Sequence, residues 1–120
     1  MKICNPVATL AQFTLLFLLA CGPKPASVEA KAVAACLEAK GIKMYGAFWC
    51  PHCAAQKAIF GDAYPSSIYI ECSNADRTQK DVCNAANIVS YPTWEFAEGK
   101  RAKGEQTLEE LSQQAGCEGG

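Results

Sequence analysis

Along the chain the spacing of apolar positions changes character several times, and each change marks an element. Val7 to Ala20 is an apolar run of 14 residues, interrupted by Thr9, Gln12 and Thr14. A helix needs about 20 apolar residues to cross a bilayer, so this run is too short to span one. Gly22 to Ala26 holds two prolines and reads as a stiff, non-helical tether. From Ser27 to Lys40 the period is helical, with Val33, Cys36 and Leu37 at i, i+3 and i+4; Ser27 offers an N-cap and Gly41 a stop. Ile42 to Phe48 is continuously apolar, as expected for a strand covered on both faces. A helix follows from near Cys50, and its Ala54, Ala55, Ala58, Ile59 and Phe60 predict a close approach to a sheet. Gly61-Asp62 and Pro65-Ser66-Ser67 form its exit loop.

Ser67 to Cys72 alternates, placing Ile68, Ile70 and Cys72 opposite Tyr69 and Glu71, which predicts a second strand. After a turn at Ser73 to Asp76, Thr78 and Asp81 suggest a weak capping box. The helix it opens runs through Ala86, with Val82, Cys83 and Ala86 as its apolar edge, and Asn87 can end it. Ile88 to Phe96 reads as a third strand, with Pro92 tolerated near its start. Glu98-Gly99-Lys100 links it by a tight hairpin to a short polar strand, Arg101 to Gly104. Thr107 and Glu110 then form a capping box for a last helix that turns Leu108, Leu111 and Ala115 inward and stops at Gly116. After the first helix the order is therefore β-α-β-α-β-β-α. It predicts an α/β fold: a mixed four-stranded sheet flanked by helices, with an extra N-terminal helix.

Composition sharpens this outline. With 120 residues the chain has the size of one domain, half of it is hydrophobic, and 19% is charged, which excludes a disordered chain. A net charge of −1 without any Lys/Arg cluster gives no footprint for nucleic acid. Eight cysteines are a heavy load whose meaning depends on the compartment. Lys2 followed by the apolar run fits a signal peptide over residues 1–20. The run closes on Leu18-Leu19-Ala20-Cys21-Gly22, which resembles the lipobox of bacterial lipoproteins. The resemblance implies acylation of Cys21, residues 21–26 as tether, and residues 27–120 as a domain held outside the cytoplasm by a lipid anchor. An ordinary secretory signal or an uncleaved anchor is the alternative. Loss of Cys4 and acylation of Cys21 would leave Cys36, Cys50, Cys53, Cys72, Cys83 and Cys117. An even count in an oxidising compartment permits up to three bridges.

The chemistry concentrates at Phe48-Trp49-Cys50-Pro51-His52-Cys53. A strand delivers two cysteines to the first turn of a helix, where unpaired N–H groups and the helix dipole favour a thiolate. Two residues of spacing allow a disulfide to close and reopen, so the motif points to thiol–disulfide exchange. Cys50 is expected to attack, Cys53 to resolve the mixed disulfide, and His52 to help stabilise the thiolate.

Cys50-Pro51-His52-Cys53 at the end of the first strand, with Tyr91-Pro92-Thr93 before the third, is similar to the thioredoxin fold. That resemblance implies a cis-proline at Pro92 facing the redox pair, and a substrate groove lined by Trp49, Pro51, Tyr91 and Pro92. More closely, Met44 to Cys53, Glu71-Cys72-Ser73, Cys83 and Ser90 to Glu95 resemble the thioredoxin-like domain fused to bacterial vitamin K epoxide reductase homologues. By this likeness the chain would be a free-standing, lipid-anchored relative. It would exchange disulfides with protein thiols and couple to a membrane thiol oxidase of that type, with no cofactor. The Pro-His dipeptide is that of strongly oxidising DsbA-type proteins. Reducing thioredoxins carry a buried Asp where this chain has Met44. Both features lean towards oxidation, with a reductase or isomerase as the alternative.

Cys72 ends the second strand and Cys83 lies in the next helix, so the intervening loop can fold back to join them, and the family resemblance supports this bridge. Cys36 and Cys117 would then pair by elimination, or stay free. A relay between Cys72–Cys83 and the redox pair is a further alternative to a structural staple. Two other function classes compete: a copper- or zinc-binding lipoprotein using Cys50, Cys53 and His52, and a redox-inert peptide-binding module. No second closely spaced ligand pair accompanies the motif, which disfavours zinc.

Overall fold

The computed structural model describes residue 22 and residues 24–117. The signal-peptide and acylation readings at residues 1–20 and Cys21 lie outside the described residues. The elements follow the predicted order: α1 (Val28–Ala39), β1 (Lys43–Gly46), α2 (Pro51–Ala58), β2 (Tyr69–Glu71), α3 (Asp81–Ala85), β3 (Thr93–Glu95), β4 (Arg101–Lys103) and α4 (Leu108–Ala115). The sheet runs β2-β1-β3-β4, parallel between β1 and β2 and antiparallel elsewhere. This is the thioredoxin-like arrangement, an α/β sheet flanked by helices with α1 added in front.

Alternation along β1 divides the interior. Met44 and Tyr45 are consecutive and point to opposite faces. Met44 joins Leu37, Cys53, Phe60, Trp94 and Leu111 in the larger core, while Tyr45 packs with Cys72, Cys83 and Ile88 in the smaller one. α1 lies against α4 on the larger side. The caps form as the sequence implies: Ser27 Oγ accepts from Ala30 N, and Thr107 and Glu110 make a reciprocal capping box. Gly41 (φ 64°) and Gly116 (φ 70°) end their helices in left-handed geometry.

Several boundaries differ from the expectation, each for a local reason. β1 ends at Gly46 rather than Phe48, because the chain turns there and Cys50 N donates to Ala47 O. Ser66–Ile68 forms a 3-10 turn before β2. β3 begins only at Thr93, since Pro92 has no N–H for the ladder and Ile88 N is drawn back to Cys83 O. The capping box at Thr78 and Asp81 does not form. Lys80 is the N-cap of α3, while Thr78 donates to Asp76 Oδ1 from both its backbone N–H and its hydroxyl. Val82, expected on the inner edge of α3, is exposed, and Cys83 holds the buried place. Residues 24–26 fold onto the segment after α2: Asp62 N donates to Lys24 O, and Ala26 N donates to Asp62 Oδ1.

Both cysteine pairs expected outside the Cys50-Pro51-His52-Cys53 motif are disulfides. Cys72–Cys83 staples the end of β2 to α3, and Cys36–Cys117 ties α1 to the second residue past α4. Cys36, predicted on the inward side of α1, is half-buried at that junction.

Candidate active site

Cys50 is the N-cap of α2 and Pro51 its first residue, a position where the missing N–H costs nothing. The cap makes no side-chain hydrogen bond, so the unpaired N–H groups of the first turn and the positive end of the helix dipole converge beside Cys50. Among the described residues Cys50 and Cys53 are the free thiols. Cys50 is 7% exposed and Cys53 1%, so the first sulfur is the one an incoming group can reach. Cys50 Sγ lies 3.8 Å from Tyr91 O, and the Tyr91–Pro92 peptide bond is cis. Burial pushes the Cys53 thiol up to about 12, with a hydrogen bond and charge from Cys50 acting in the same direction and the Ala47 backbone and Lys57 opposing.

The other residues singled out from the sequence divide around this centre. Trp49 is partly exposed, donates from Nε1 to Ser73 Oγ at 2.8 Å, and meets Tyr91 edge to face with ring centroids 6.0 Å apart. Pro51 is exposed, as is Phe48, which sequence reasoning left out of the groove. The Pro92 ring is fully buried, so of the Tyr91–Pro92 pair Tyr91 is the one that reaches the surface. The Tyr91 hydroxyl donates to Gln79 Oε1. His52 is exposed, and its Nδ1 sits 2.8 Å from Glu105 Oε2. Among the described residues no three His, Cys, Asp or Glu side chains gather as metal ligands would. Cys72 and Cys83 are sealed off at 0% exposure, as a staple would be.

Three residues that the sequence did not flag shape the site. Gln56 is buried on α2, three residues after Cys53. Its Oε1 accepts from Trp94 Nε1 (3.0 Å) and Gln106 N (2.7 Å), and its Nε2 donates to Gln106 O (2.9 Å). These bonds fasten the cysteine-bearing helix to β3 and to the approach of α4. The inner face of α2 is therefore Cys53 and Gln56, continued by the buried Phe60 just past the helix end, whereas Ala54, Ala55 and Ala58 face solvent rather than a sheet. Spacing alone could have found this, since Cys53, Gln56 and Phe60 stand at i, i+3 and i+7. Glu71 is the second residue. Its carboxylate accepts from Phe48 N, Ser73 N and the Tyr69 hydroxyl, fixing the turn that carries Trp49.

Gly46 is the third. A Cβ there would stand 2.9 Å from Cys53 Sγ and 2.9 Å from Tyr69 Cε2. Only a residue without a side chain lets sulfur and ring close on the strand together. Gly46→Ala is expected to destabilise the reduced protein by about 2 kcal/mol through overpacking and to slow disulfide closure. Thermal melts of the reduced form check this. An unchanged midpoint would mean that the sulfur and the Tyr69 ring have room to retreat.

No family model matches the chain. It is similar to the thiol-disulfide oxidoreductase LTO1 of Arabidopsis thaliana, at 41% identity over 96 residues. That match takes in 75% of this chain and 25% of the relative. The chain thus spans about a quarter of the length of the protein it matches.

Proposed function

We propose that this chain is a thiol–disulfide oxidoreductase that exchanges disulfides with protein thiols through Cys50 and Cys53. One observation carries the reading: two free cysteines share the first turn of α2, the outer one beside the Tyr91 carbonyl and the inner one sealed, while the other described cysteines are locked in bridges. The activity for which the similar Arabidopsis protein is named supports it. In the oxidising direction a substrate thiolate attacks Cys50 Sγ of the Cys50–Cys53 disulfide, and Cys53 leaves as a thiolate that takes up a proton. A second substrate thiolate then attacks the substrate sulfur of the mixed disulfide. Its product is a substrate disulfide, and both protein cysteines are left reduced. The groove beside Trp49, Phe48 and Tyr91 receives the peptide bearing the reacting sulfur.

The finer reading rests on the sequence. Pro51-His52 and the apolar Met44 favour net oxidation. The lipobox-like end of the apolar run favours a domain anchored through Cys21 outside the cytoplasm. The likeness to domains fused to vitamin K epoxide reductase homologues makes a membrane thiol oxidase of that type the partner that reoxidises the pair. Among the described residues no helix is long and apolar enough to cross a membrane.

The decisive experiment follows oxidation of a reduced cysteine peptide and reduction of insulin, with Cys50→Ala as control. Activity in either direction that Cys50→Ala abolishes is the expected result, and equilibration with glutathione gives the potential. An active Cys50→Ala protein would overturn the mechanism. A potential near that of thioredoxin, about −270 mV, would overturn the oxidising bias.

A further inference from the structure

Thiol exchange at this site requires a charge in a place that does not welcome one. Each time the Cys50–Cys53 disulfide opens or closes, Cys53 Sγ carries a negative charge at 1% exposure, walled by Gly46 and the Tyr69 ring. A buried charge needs a partner or it does not form. The ionisable groups that act on Cys53 are known from each element around it. α2 supplies Cys50 and Lys57, the segment after it Tyr64, β2 Tyr69, and the loop before β3 Tyr91. Burial pushes all three phenols up, so they stay neutral at physiological pH. Glu71 is hydrogen-bonded to the Tyr69 hydroxyl and so bound on the far end of that ring. Lys57 is the cation in this set.

Its placement is specific. Lys57 stands four residues after Cys53, on the same side of α2 one turn on. Its ammonium lies 3.5 Å from the centroid of the Tyr69 ring and 5.6 Å from that of Tyr64. The Tyr69 ring and Cys53 Sγ share contact with the same glycine. A half-buried lysine thus stands over an aromatic face, whose quadrupole attracts its ammonium.

We propose that Lys57 is a positioning residue for the buried thiol: held over Tyr69, its ammonium offsets the charge that gathers on Cys53 Sγ during exchange. The inference rests on the thiol-exchange reading above and adds a residue to it. When the disulfide forms from a mixed disulfide, Cys53 first gives its proton to solvent. Its thiolate attacks Cys50 Sγ, the bond from Cys50 to the substrate sulfur breaks, and the substrate leaves with the electron pair. In the reverse direction Cys53 is the leaving thiolate and then takes a proton from solvent. Lys57 remains protonated throughout and passes no proton.

The aromatic disulfide dithionitrobenzoate tests this in two separable phases. Attack by Cys50 releases one thionitrobenzoate at a rate proportional to reagent. Attack by Cys53 on the adduct releases the second at a rate independent of reagent. In Lys57→Met, which keeps the length of the side chain, the first phase should be unchanged. The second should slow about tenfold, so that a given rate is reached about one pH unit higher. Lys57→Arg should restore it. A second phase at the parental rate in Lys57→Met, or one equally slow in Lys57→Arg, would overturn the role of Lys57 while leaving thiol exchange intact. If the unmodified protein held a stable Cys50 adduct and released no second thiol, the exchange reading would fall as well.

Discussion

Replacing Cys53 with alanine is expected to leave a protein that attacks once and then stops, held as a covalent adduct with its substrate. Cys50 remains at the N-cap of α2 and is the more exposed of the two thiols, so the first step survives. What is lost is the neighbouring sulfur that would displace the substrate. A well-placed intramolecular group acts at an effective concentration of about 10⁵ M or more. External thiol at millimolar concentration is no match for it, so the adduct should persist longer by several orders of magnitude. The mutation removes one buried sulfur from a site already crowded by Tyr69, at a stability cost of about 1 kcal/mol. Non-reducing electrophoresis and mass spectrometry of the trapped species check both the lifetime and the linkage. Adducts as short-lived as those of the parent, or linked through a cysteine other than Cys50, would contradict the assignment of roles. The same trap captures the natural substrates, which makes it the direct route to the partners.

The largest effect on stability is expected from the bridge that closes the longer loop. Cys36 and Cys117 are 81 residues apart in sequence, against 11 for Cys72 and Cys83. Loop-closure entropy then assigns about 4.5 kcal/mol to the first bridge and about 3 kcal/mol to the second. Changing both Cys36 and Cys117 to serine should therefore lower the melting temperature by about 20 °C. Half-buried at the junction of α1 and α4, the two positions accept serine without stranding a hydroxyl in the core. Exchange activity measured well below the melt should be unchanged, because the bridge joins α1 to the end of α4 and supplies no group to the Cys50–Cys53 pair. A smaller fall than that caused by removing Cys72–Cys83 would show that enthalpy or residual structure in the unfolded chain outweighs loop length here.

Much of this molecule was legible in order, less of it in detail. Element order followed from punctuation: Ser27 and Thr107 as caps, Gly41 and Gly116 as stops, Glu98-Gly99 as the hairpin. These are local preferences that tertiary contacts reinforced. Boundaries were overestimated where a strand-like run had to bend towards the site. Ile88 to Pro92 looks apolar enough for a strand, yet Pro92 offers no N–H to a ladder and Ile88 N is bonded back to Cys83 O. Gln56 was only half legible. Its spacing from Cys53 and Phe60 puts it on the inner face, but a glutamine among alanines reads as surface, and its bonds to Trp94 Nε1 and the Gln106 backbone are facts of folding.

His52 shows the same limit inside the motif. Its position between the two cysteines is a fact of sequence, but its contact with Glu105, 53 residues away, is a fact of folding. Lys57 is similar: a lysine four residues past Cys53 means little until Tyr69 arrives from β2 beneath it.

By itself, the sequence determined the pair of thiols, their place at the start of a helix, and the α/β order that carries them, because these depend on covalent spacing and short-range preference. Tertiary structure decided how tightly the inner sulfur is sealed, which carbonyl and rings stand beside the outer one, and which charges surround the sealed sulfur. Those properties are set by burial and by approach between distant segments, and no spacing along the chain encodes them directly.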